Sequence, residues 1–227
     1  IFVLNKNFNK YFKEYNFHRL YRELLNFCSQ DLSSFYFDIR KDVIYCDGDK
    51  SKIRRSARTL LEIIFNYLVR WLAPSLSFTT EEAWKAMGNQ TSIHLEDFLH
   101  TPAKYENLSI NENWKIIKQI RKVITGALEI KRAEKLIGSS LEAHVDIYVD
   151  SETLEKIKNY PLDEISITSS FSLHVLTNDS QGFSLEDVTD VKIAVSKTNG
   201  QKCQRCWKYK EKLIRNEICE RCDNAIS

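Results

Sequence analysis

The sequence predicts a mainly α-helical protein in three parts. An antiparallel helical bundle covers residues 1–137, a small α+β domain covers 138–200, and a four-cysteine knuckle covers 201–227. Three observations predict this division. Apolar residues recur at helical spacing up to Gly138, they then alternate with polar residues in the two-residue period of strands, and four of the six cysteines lie in the last stretch.

The bundle opens with a long apolar stripe within residues 7–39, formed by Phe17, Leu20, Tyr21, Leu24, Cys28, Leu32, Phe35 and Ile39. The pair Asp47-Gly48 then marks a turn, because both residue types favour turns. Ser51 is placed to cap a second long helix, whose inward stripe comprises Ala57, Leu60, Leu61, Ile64, Leu68 and Trp71.

Pro74 ends or kinks this second helix. The spacing Thr79-x-x-Glu82 is that of a capping box, which predicts a short helix continuing to Met87. Residues 88–108 are rich in turn formers and predict a loop.

Ser109-x-x-Glu112 predicts the start of another long helix, and Gly138 predicts its end. Its inward face holds Trp114, Ile117, Ile120, Ile124 and Leu128, and its outward face holds Arg121, Lys122, Lys131, Arg132 and Lys135. Helices of this length with one apolar face pack as an antiparallel bundle.

After Gly138 three short segments have the alternating pattern of strands, centred on Ile147, Leu173 and Ile193. Ser151 is placed to cap a short helix between the first two segments. The pattern predicts a small α+β domain between the bundle and the cysteines.

The cysteine spacing is C-x2-C-x12-C-x2-C, formed by Cys203, Cys206, Cys219 and Cys222. Two Cys-x-x-Cys turns supply the four thiolates of one tetrahedral, structural zinc ion. Disulfides and redox chemistry are the alternatives. Disulfides suit a secreted chain, whereas no signal peptide is visible here, and a redox pair requires one Cys-x-x-Cys at a strand-to-helix junction.

Two residues of the knuckle are candidates for nucleic-acid binding. Arg205 lies inside the first cysteine turn, and Trp207 follows it among several lysines and arginines. An indole on a rigid, basic turn can stack on an unpaired base while cations neutralise phosphate. The alternative is that Trp207 packs over the metal site as its apolar cover.

Charge is unevenly distributed along a chain whose net charge is only +2. Lys and Arg number 7 against 3 acidic residues in 110–137, and 4 against 11 in 138–200. Basic segments beside an acidic one indicate local contact with a polyanion. The candidate phosphate contacts on charge alone are Arg54, Arg55, Arg58, Arg121 and Lys122. For the three arginines at the start of the second long helix, a solvated basic face is at least as good an explanation.

No catalytic motif of the common phosphate-binding, dinucleotide-binding, serine-hydrolase or zinc-protease types occurs in the chain. No 18-residue apolar run is present, so no membrane span is predicted. The chain also begins inside a helical pattern without Met, and we therefore expect it to be a piece of a longer protein without catalytic activity of its own.

Several stretches resemble the C-terminal part of the bacterial isoleucyl-tRNA synthetase family. They are residues 31–42, residues 69–74 with 78–84, residues 127–143, and the Cys-x-Arg-Cys-Trp sequence at 203–207. The first two sets are shared in looser form with valyl, leucyl and methionyl relatives, whereas the last two favour the isoleucine family. The resemblance covers essentially the whole chain.

The resemblance implies an anticodon-binding bundle of the class Ia synthetases, a junction domain and a zinc tail that reaches the anticodon loop. The implied partners are the anticodon stem-loop of isoleucine tRNA and the rest of a cytoplasmic, monomeric synthetase, which ligates isoleucine to tRNA with ATP. The family's HIGH and KMSKS signatures are absent from this chain. The four knuckle cysteines become zinc ligands, and Arg205 and Trp207 become anticodon contacts. The alternatives are a generic zinc-ribbon RNA-binding module and a structural zinc tail of a valyl-type relative.

Overall fold

The computed structural model describes residues 1–226, which form two compact units. The first unit comprises Ile1–Ile44 and Asp49–Asn107, and the second comprises Tyr45–Gly48 with the chain from Leu108 onward. The first is helical, and the second holds a mixed sheet and the four cysteines. The predicted fold class is therefore confirmed.

The first unit is built from five α-helices and one π-helical stretch. The third of these α-helices ends in Tyr45 and Cys46, which belong to the second unit. The α-helices are α1 (Phe2–Lys13), α2 (Phe17–Asn26), α3 (Asp38–Cys46), α4 (Lys52–Leu72) and α5 (Ser77–Ala86). The π-helix spans Phe27–Phe37, between α2 and α3. The predicted loop at 88–108 contains only two single 3₁₀ turns, at Ile93–Leu95 and Ala103–Tyr105.

The helical pattern predicted over residues 7–39 is interrupted by a turn at Tyr15 and Asn16, just before Phe17, the first residue of the stripe. Tyr15 has a φ of +57°, which ends α1, and the Asn16 side chain accepts a hydrogen bond from the Arg19 N–H at the start of α2. Phe17 is consequently exposed, although its position in the stripe predicted a core residue.

The core of the first unit forms where α1, α2 and α4 meet. It is built from Phe8, Tyr11, Leu20, Leu24, Tyr67 and Trp71. The indole N–H of Trp71 donates to Asn5 Oδ1 at 3.0 Å, and Asn5 in turn donates to the Leu99 carbonyl at 2.9 Å. The buried side-chain amide of Asn5 therefore has hydrogen-bond partners for both its oxygen and its nitrogen, and the second bond holds the segment at Leu99 against α1.

The observed starts of α4 and α5 can be compared with the caps that the sequence predicted. The Ser51 hydroxyl accepts from the Arg54 N–H at 3.3 Å, which confirms the cap of α4. The capping box at Thr79 is wrong, because α5 already begins at Ser77 and Thr79 lies inside the helix. Leu60 is also exposed on α4, since the inward face of that helix is carried by Ile64, Tyr67 and Trp71.

The second unit is built on a four-stranded sheet with the strand order β2-β1-β4-β3. Strand β1 pairs in parallel with β2 and antiparallel with β4. The elements are α6 (Leu108–Ala133), β1 (Ala143–Val149), α7 (Ser151–Ile157), α8 (Leu162–Ser166), β2 (Ser170–Val175), β3 (Phe183–Leu185) and β4 (Val188–Lys197). The three predicted strands are present, and β3 and α8 are additional.

Helix α6 packs against β3 and β4, and against α7 and α8. The sequence predicted it as part of a helical bundle because periodicity shows which face is apolar but not what covers it. Gly126 permits close packing, since a Cβ there would lie 2.7 Å from Phe183 Cε1. The helix ends at Ala133, ahead of the predicted stop at Gly138. The domain division at 137 and 200 stays a prediction.

The helix after β1 is capped by Asp150, one residue before the predicted cap. Its carboxylate accepts from the N–H groups of Glu152 and Thr153 at 2.8 and 3.0 Å. Hydrogen bonds from Thr153 keep the pKa of Asp150 below its ordinary value. Among the described helices of both units, none combines the length and apolarity needed to cross a bilayer.

Candidate metal centre and nucleic-acid interface

The first cysteine pair lies on a short hairpin of β5 (Gln201–Lys202) and β6 (Tyr209–Lys210). The Cys203 N–H donates to the Lys208 carbonyl at 3.0 Å, and the Trp207 N–H donates to the Cys203 carbonyl at 2.9 Å. These bonds close a tight turn that points both cysteine side chains inward.

The second cysteine pair lies at the start of the last helix, α9 (Glu220–Ile226). An isolated antiparallel bridge between Ile214 and Ile218 leads into Cys219. The Cys219 N–H donates to Cys203 Sγ at 3.3 Å, which joins the two cysteine turns.

The sulfur atoms of Cys203, Cys206, Cys219 and Cys222 all lie within 4.8 Å of one another, and all four residues are buried. The Sγ atoms of Cys206 and Cys219 are 3.8 Å apart. A tetrahedral ion with metal–sulfur bonds of about 2.3 Å places its ligand sulfurs about 3.8 Å apart. The four cysteines therefore form a cluster that could hold a metal ion.

The cysteines differ in how readily they ionise. Burial raises the pKa of Cys203, but backbone N–H donors from Cys206, Cys219 and Arg205 lower it, and the net pKa is about 6. Burial raises the pKa of Cys206 and of Cys222. Cys203 consequently becomes the thiolate that a metal requires more readily than Cys206 or Cys222 does.

Four residues distant in sequence, Tyr45–Gly48, contact the knuckle within the second unit, and we call them the docking segment. The Arg205 guanidinium donates to the carbonyl of Cys46, and also to that of Tyr45 at 3.3 Å. The Cys46 side chain is buried in the same apolar cluster as the four knuckle cysteines, and Arg221 Nε lies 3.5 Å from Asp47 Oδ1.

A second attachment joins the knuckle to the sheet domain. Lys208 is buried, and its ammonium lies 3.1 Å from Asp163 Oδ2. The Tyr209 N–H donates to Ser169 Oγ at 2.7 Å. Lys208 directly follows Trp207 in the sequence, but its ammonium group is used in packing against the sheet domain.

Trp207 lies on the solvent side of the knuckle. Its side chain is 59% exposed, its φ is +64°, and the Lys202 ammonium lies 5.7 Å from the centre of its ring. The apolar cover of the cysteines comes from Cys46, Leu213 and Ile218. The interpretation of Trp207 as the cover of the metal site is therefore not supported by its position.

The structure separates the two knuckle residues that the sequence paired. Trp207 is exposed, whereas Arg205 is half-buried and donates to the docking segment. No sequence signal indicated the docking segment, because Cys46 is a single cysteine far from the others. The roles of Arg205 and Trp207 in binding RNA stay predictions.

The other candidate cations lie in different surroundings. Arg55 and Arg58 are exposed on α4, whereas Arg54 is half-buried and its Nε atom has no hydrogen-bond partner. In the second unit, Arg121 Nε donates to the Ile165 carbonyl at 2.9 Å, and Lys122 lies 2.7 Å from the Asp187 carboxylate. Their predicted contact with RNA is not tested by these positions.

Comparison with known proteins adds to this geometry. The profile of the family described as the anticodon-binding domain of tRNA ligase matches residues 2–147. The isoleucine–tRNA ligase of Pelagibacter ubique is 45% identical over 97% of this chain and 23% of its own length. The corresponding ligases of Bartonella henselae and Ruegeria pomeroyi are 43% and 41% identical over 91% and 98% of this chain.

The chain spans 21% to 24% of the length of these three relatives, so the similarity concerns one region of them. The family match covers the helical unit, α6 and most of β1. The four-cysteine cluster lies beyond the family match, but the alignments with the Pelagibacter and Ruegeria ligases cover 97% and 98% of this chain. The chain belongs to the family of anticodon-binding domains of tRNA ligases.

Proposed function

We propose that this chain recognises the anticodon stem-loop of isoleucine tRNA on behalf of a longer, cytoplasmic and monomeric isoleucine–tRNA ligase. The remainder of that protein would activate isoleucine with ATP and transfer it to the tRNA, while this chain would bind without catalysing a reaction. The observation that carries the proposal is the exposed indole of Trp207 on a turn organised by four cysteines, in a chain of this family.

The cysteine cluster would hold one structural Zn²⁺ ion. Its donor set supports a structural zinc ion, because four buried sulfurs within 4.8 Å of one another can fill all four positions of a tetrahedral ion and leave none for water. The ion would supply four metal–sulfur bonds that fix both cysteine turns. The knuckle has a small apolar core of its own, so its folding would depend on the ion.

Trp207 would stack on one unpaired anticodon base. Unpaired bases expose their faces and edges, and stacking on an aromatic ring contributes about 1 to 3 kcal/mol per base. The exposed Lys202 and Lys210 on the same hairpin would bind phosphate. Arg205 would support the turn that presents Trp207, and its direct contact with the anticodon remains part of the proposal.

The experiment measures binding of the zinc-loaded chain to isoleucine tRNA and to valine tRNA at two salt concentrations. The variant is Trp207→Gly, because glycine accepts the positive φ of this position while the ring is removed. We expect a loss of about 5- to 150-fold for isoleucine tRNA at both salt concentrations, with discrimination between the two tRNAs lost.

Two controls sharpen the result. Trp207→Phe keeps an aromatic ring and should retain most of the affinity. Lys202→Ala should instead weaken the salt dependence, by about 0.7 in the slope of log affinity against log salt for one phosphate contact. Equal binding of both tRNAs by the wild type, unchanged in Trp207→Gly, would leave a generic RNA-binding module or a structural zinc tail.

A further inference from the structure

A second exposed aromatic residue in the left-handed conformation lies in the helical unit. Among the described residues, those other than glycine with positive φ are Tyr15, Lys135, Ile167, Trp207 and Glu217. Only Tyr15 and Trp207 of this set are aromatic, and their side chains are 81% and 59% exposed. Tyr15 therefore shares the two properties that distinguish Trp207.

The conformation of Tyr15 follows from how α1 ends. The Asn16 N–H donates to the Tyr11 carbonyl at 2.8 Å, and the Tyr15 N–H donates to the Phe12 carbonyl at 3.2 Å. This is the Schellman arrangement, whose left-handed residue is usually glycine because a Cβ is disfavoured there. Tyr15 buries little surface to offset that strain, so the folded state gains little from having a tyrosine at this position.

The surroundings of Tyr15 are aromatic and basic. Its ring lies 6.1 Å from that of Phe17 in an edge-on arrangement, and the Phe17 ring is stacked at 6.4 Å on Tyr21. Residues 10–22 hold a single carboxylate, Glu14, against four exposed cations, which are Lys10, Lys13, Arg19 and Arg22. Exposed rings among cations are the combination that binds unpaired nucleotides.

We infer that Tyr15 is a second stacking residue, which binds an unpaired base of the tRNA while the cations around it bind the flanking phosphates. The inference rests on the proposed function for the identity of the RNA. It assigns a nucleotide contact to the turn between α1 and α2. The candidates that were chosen on charge, Arg54, Arg55 and Arg58, lie instead on α4.

The test is Tyr15→Gly in the full, zinc-loaded chain, with fluorescently labelled isoleucine tRNA as the probe. Glycine suits the backbone at this position, so the melting temperature should be unchanged or higher. Affinity for the tRNA should fall by about 5- to 150-fold, the loss of one stacked base. Tyr15→Phe should retain the affinity, since it keeps the ring.

The matched control is Phe78→Ala. Phe78 is also an aromatic residue of the helical unit, 92% exposed, but Glu81 and Glu82 lie within one helical turn of it. This variant should bind tRNA as the wild type does. Unchanged tRNA affinity in Tyr15→Gly, or the same loss in Phe78→Ala, would overturn the inference.

The two proposals fail in distinguishable ways. If Trp207→Gly abolishes discrimination while Tyr15→Gly binds normally, the anticodon proposal stands and the role of Tyr15 is wrong. If the wild type binds isoleucine and valine tRNA equally while Tyr15→Gly weakens both, Tyr15 contacts RNA and anticodon recognition is wrong.

Discussion

Replacing Arg205 with alanine tests whether this residue stabilises the folded knuckle or binds RNA. Its guanidinium makes a partly buried hydrogen bond to the Cys46 carbonyl and an exposed one to the Tyr45 carbonyl. A hydrogen bond from a charged donor contributes about 1.5 to 3 kcal/mol when desolvated, and an exposed one contributes much less. We therefore expect Arg205→Ala to destabilise the docked knuckle by about 2 to 3 kcal/mol.

Because metal binding and folding of such a knuckle are coupled, this loss should appear in the apparent zinc affinity. A change of 2 to 3 kcal/mol corresponds to about 30- to 150-fold. The assay is competition for zinc against a chromophoric chelator at equilibrium. Lys210→Ala removes one exposed positive charge from the same hairpin and should leave the zinc affinity unchanged.

The reasoning is refuted if Arg205→Ala binds zinc as tightly as Lys210→Ala does. A normal zinc affinity combined with weaker tRNA binding would assign Arg205 to the RNA instead. Arg205→Lys should give an intermediate zinc affinity, because an ammonium cannot reproduce the forked geometry of the two donors.

Two further predictions concern packing and pH. Gly126→Ala should destabilise the second unit by about 1 kcal/mol, because the clash of the new methyl group with Phe183 outweighs the gain in helix propensity. In a Phe183→Ala background the clash is absent, and the same change should stabilise the unit. Urea unfolding of the wild type, the two single variants and the double variant measures both changes in free energy. Hydrogen bonds from the Ile93 N–H and the Ser92 hydroxyl lower the pKa of Glu81 in the folded protein. The ionised carboxylate therefore stabilises the fold above the pKa that Glu81 has in the unfolded chain, and this stabilisation is lost as the pH falls through its pKa in the folded protein. The protection factor of the Ile93 amide, which is the observed exchange rate corrected for the slower intrinsic exchange at low pH, should therefore fall on acidification, and Glu81→Gln should remove that fall.

Local spacing predicted the parts of the site that local geometry determines. Two Cys-x-x-Cys turns bring their own sulfurs together, and only residues 207–218 separate the two turns, so the cluster followed from the sequence. The alternation around Ile147 and Ile193 likewise predicted strands, because both residues lie on the fully buried face of the sheet.

Features that depend on tertiary contact could not be predicted in this way. Nothing in the sequence near Cys46 or Arg205 indicates their partnership, which joins positions 159 residues apart. The turn at Tyr15 was missed because the usual signal for such a turn is glycine, whereas a tyrosine among helix-spaced apolar residues does not indicate a helix end. The face of α6 was assigned correctly at Ile117 and Ile124, but its partner, the sheet, was not.

The attachment of the knuckle to Cys46 has a consequence for the order of assembly during synthesis. The cost of joining two points of a flexible chain rises with the length between them, and reaches about 4 to 5 kcal/mol for a separation of this size. The hydrogen bonds of Arg205 do not offset that cost alone. Helix α6 and the sheet lie between the two ends, so their prior folding shortens the distance to be closed. The knuckle therefore completes a structure to which an earlier-synthesised segment, Tyr45–Gly48, belongs.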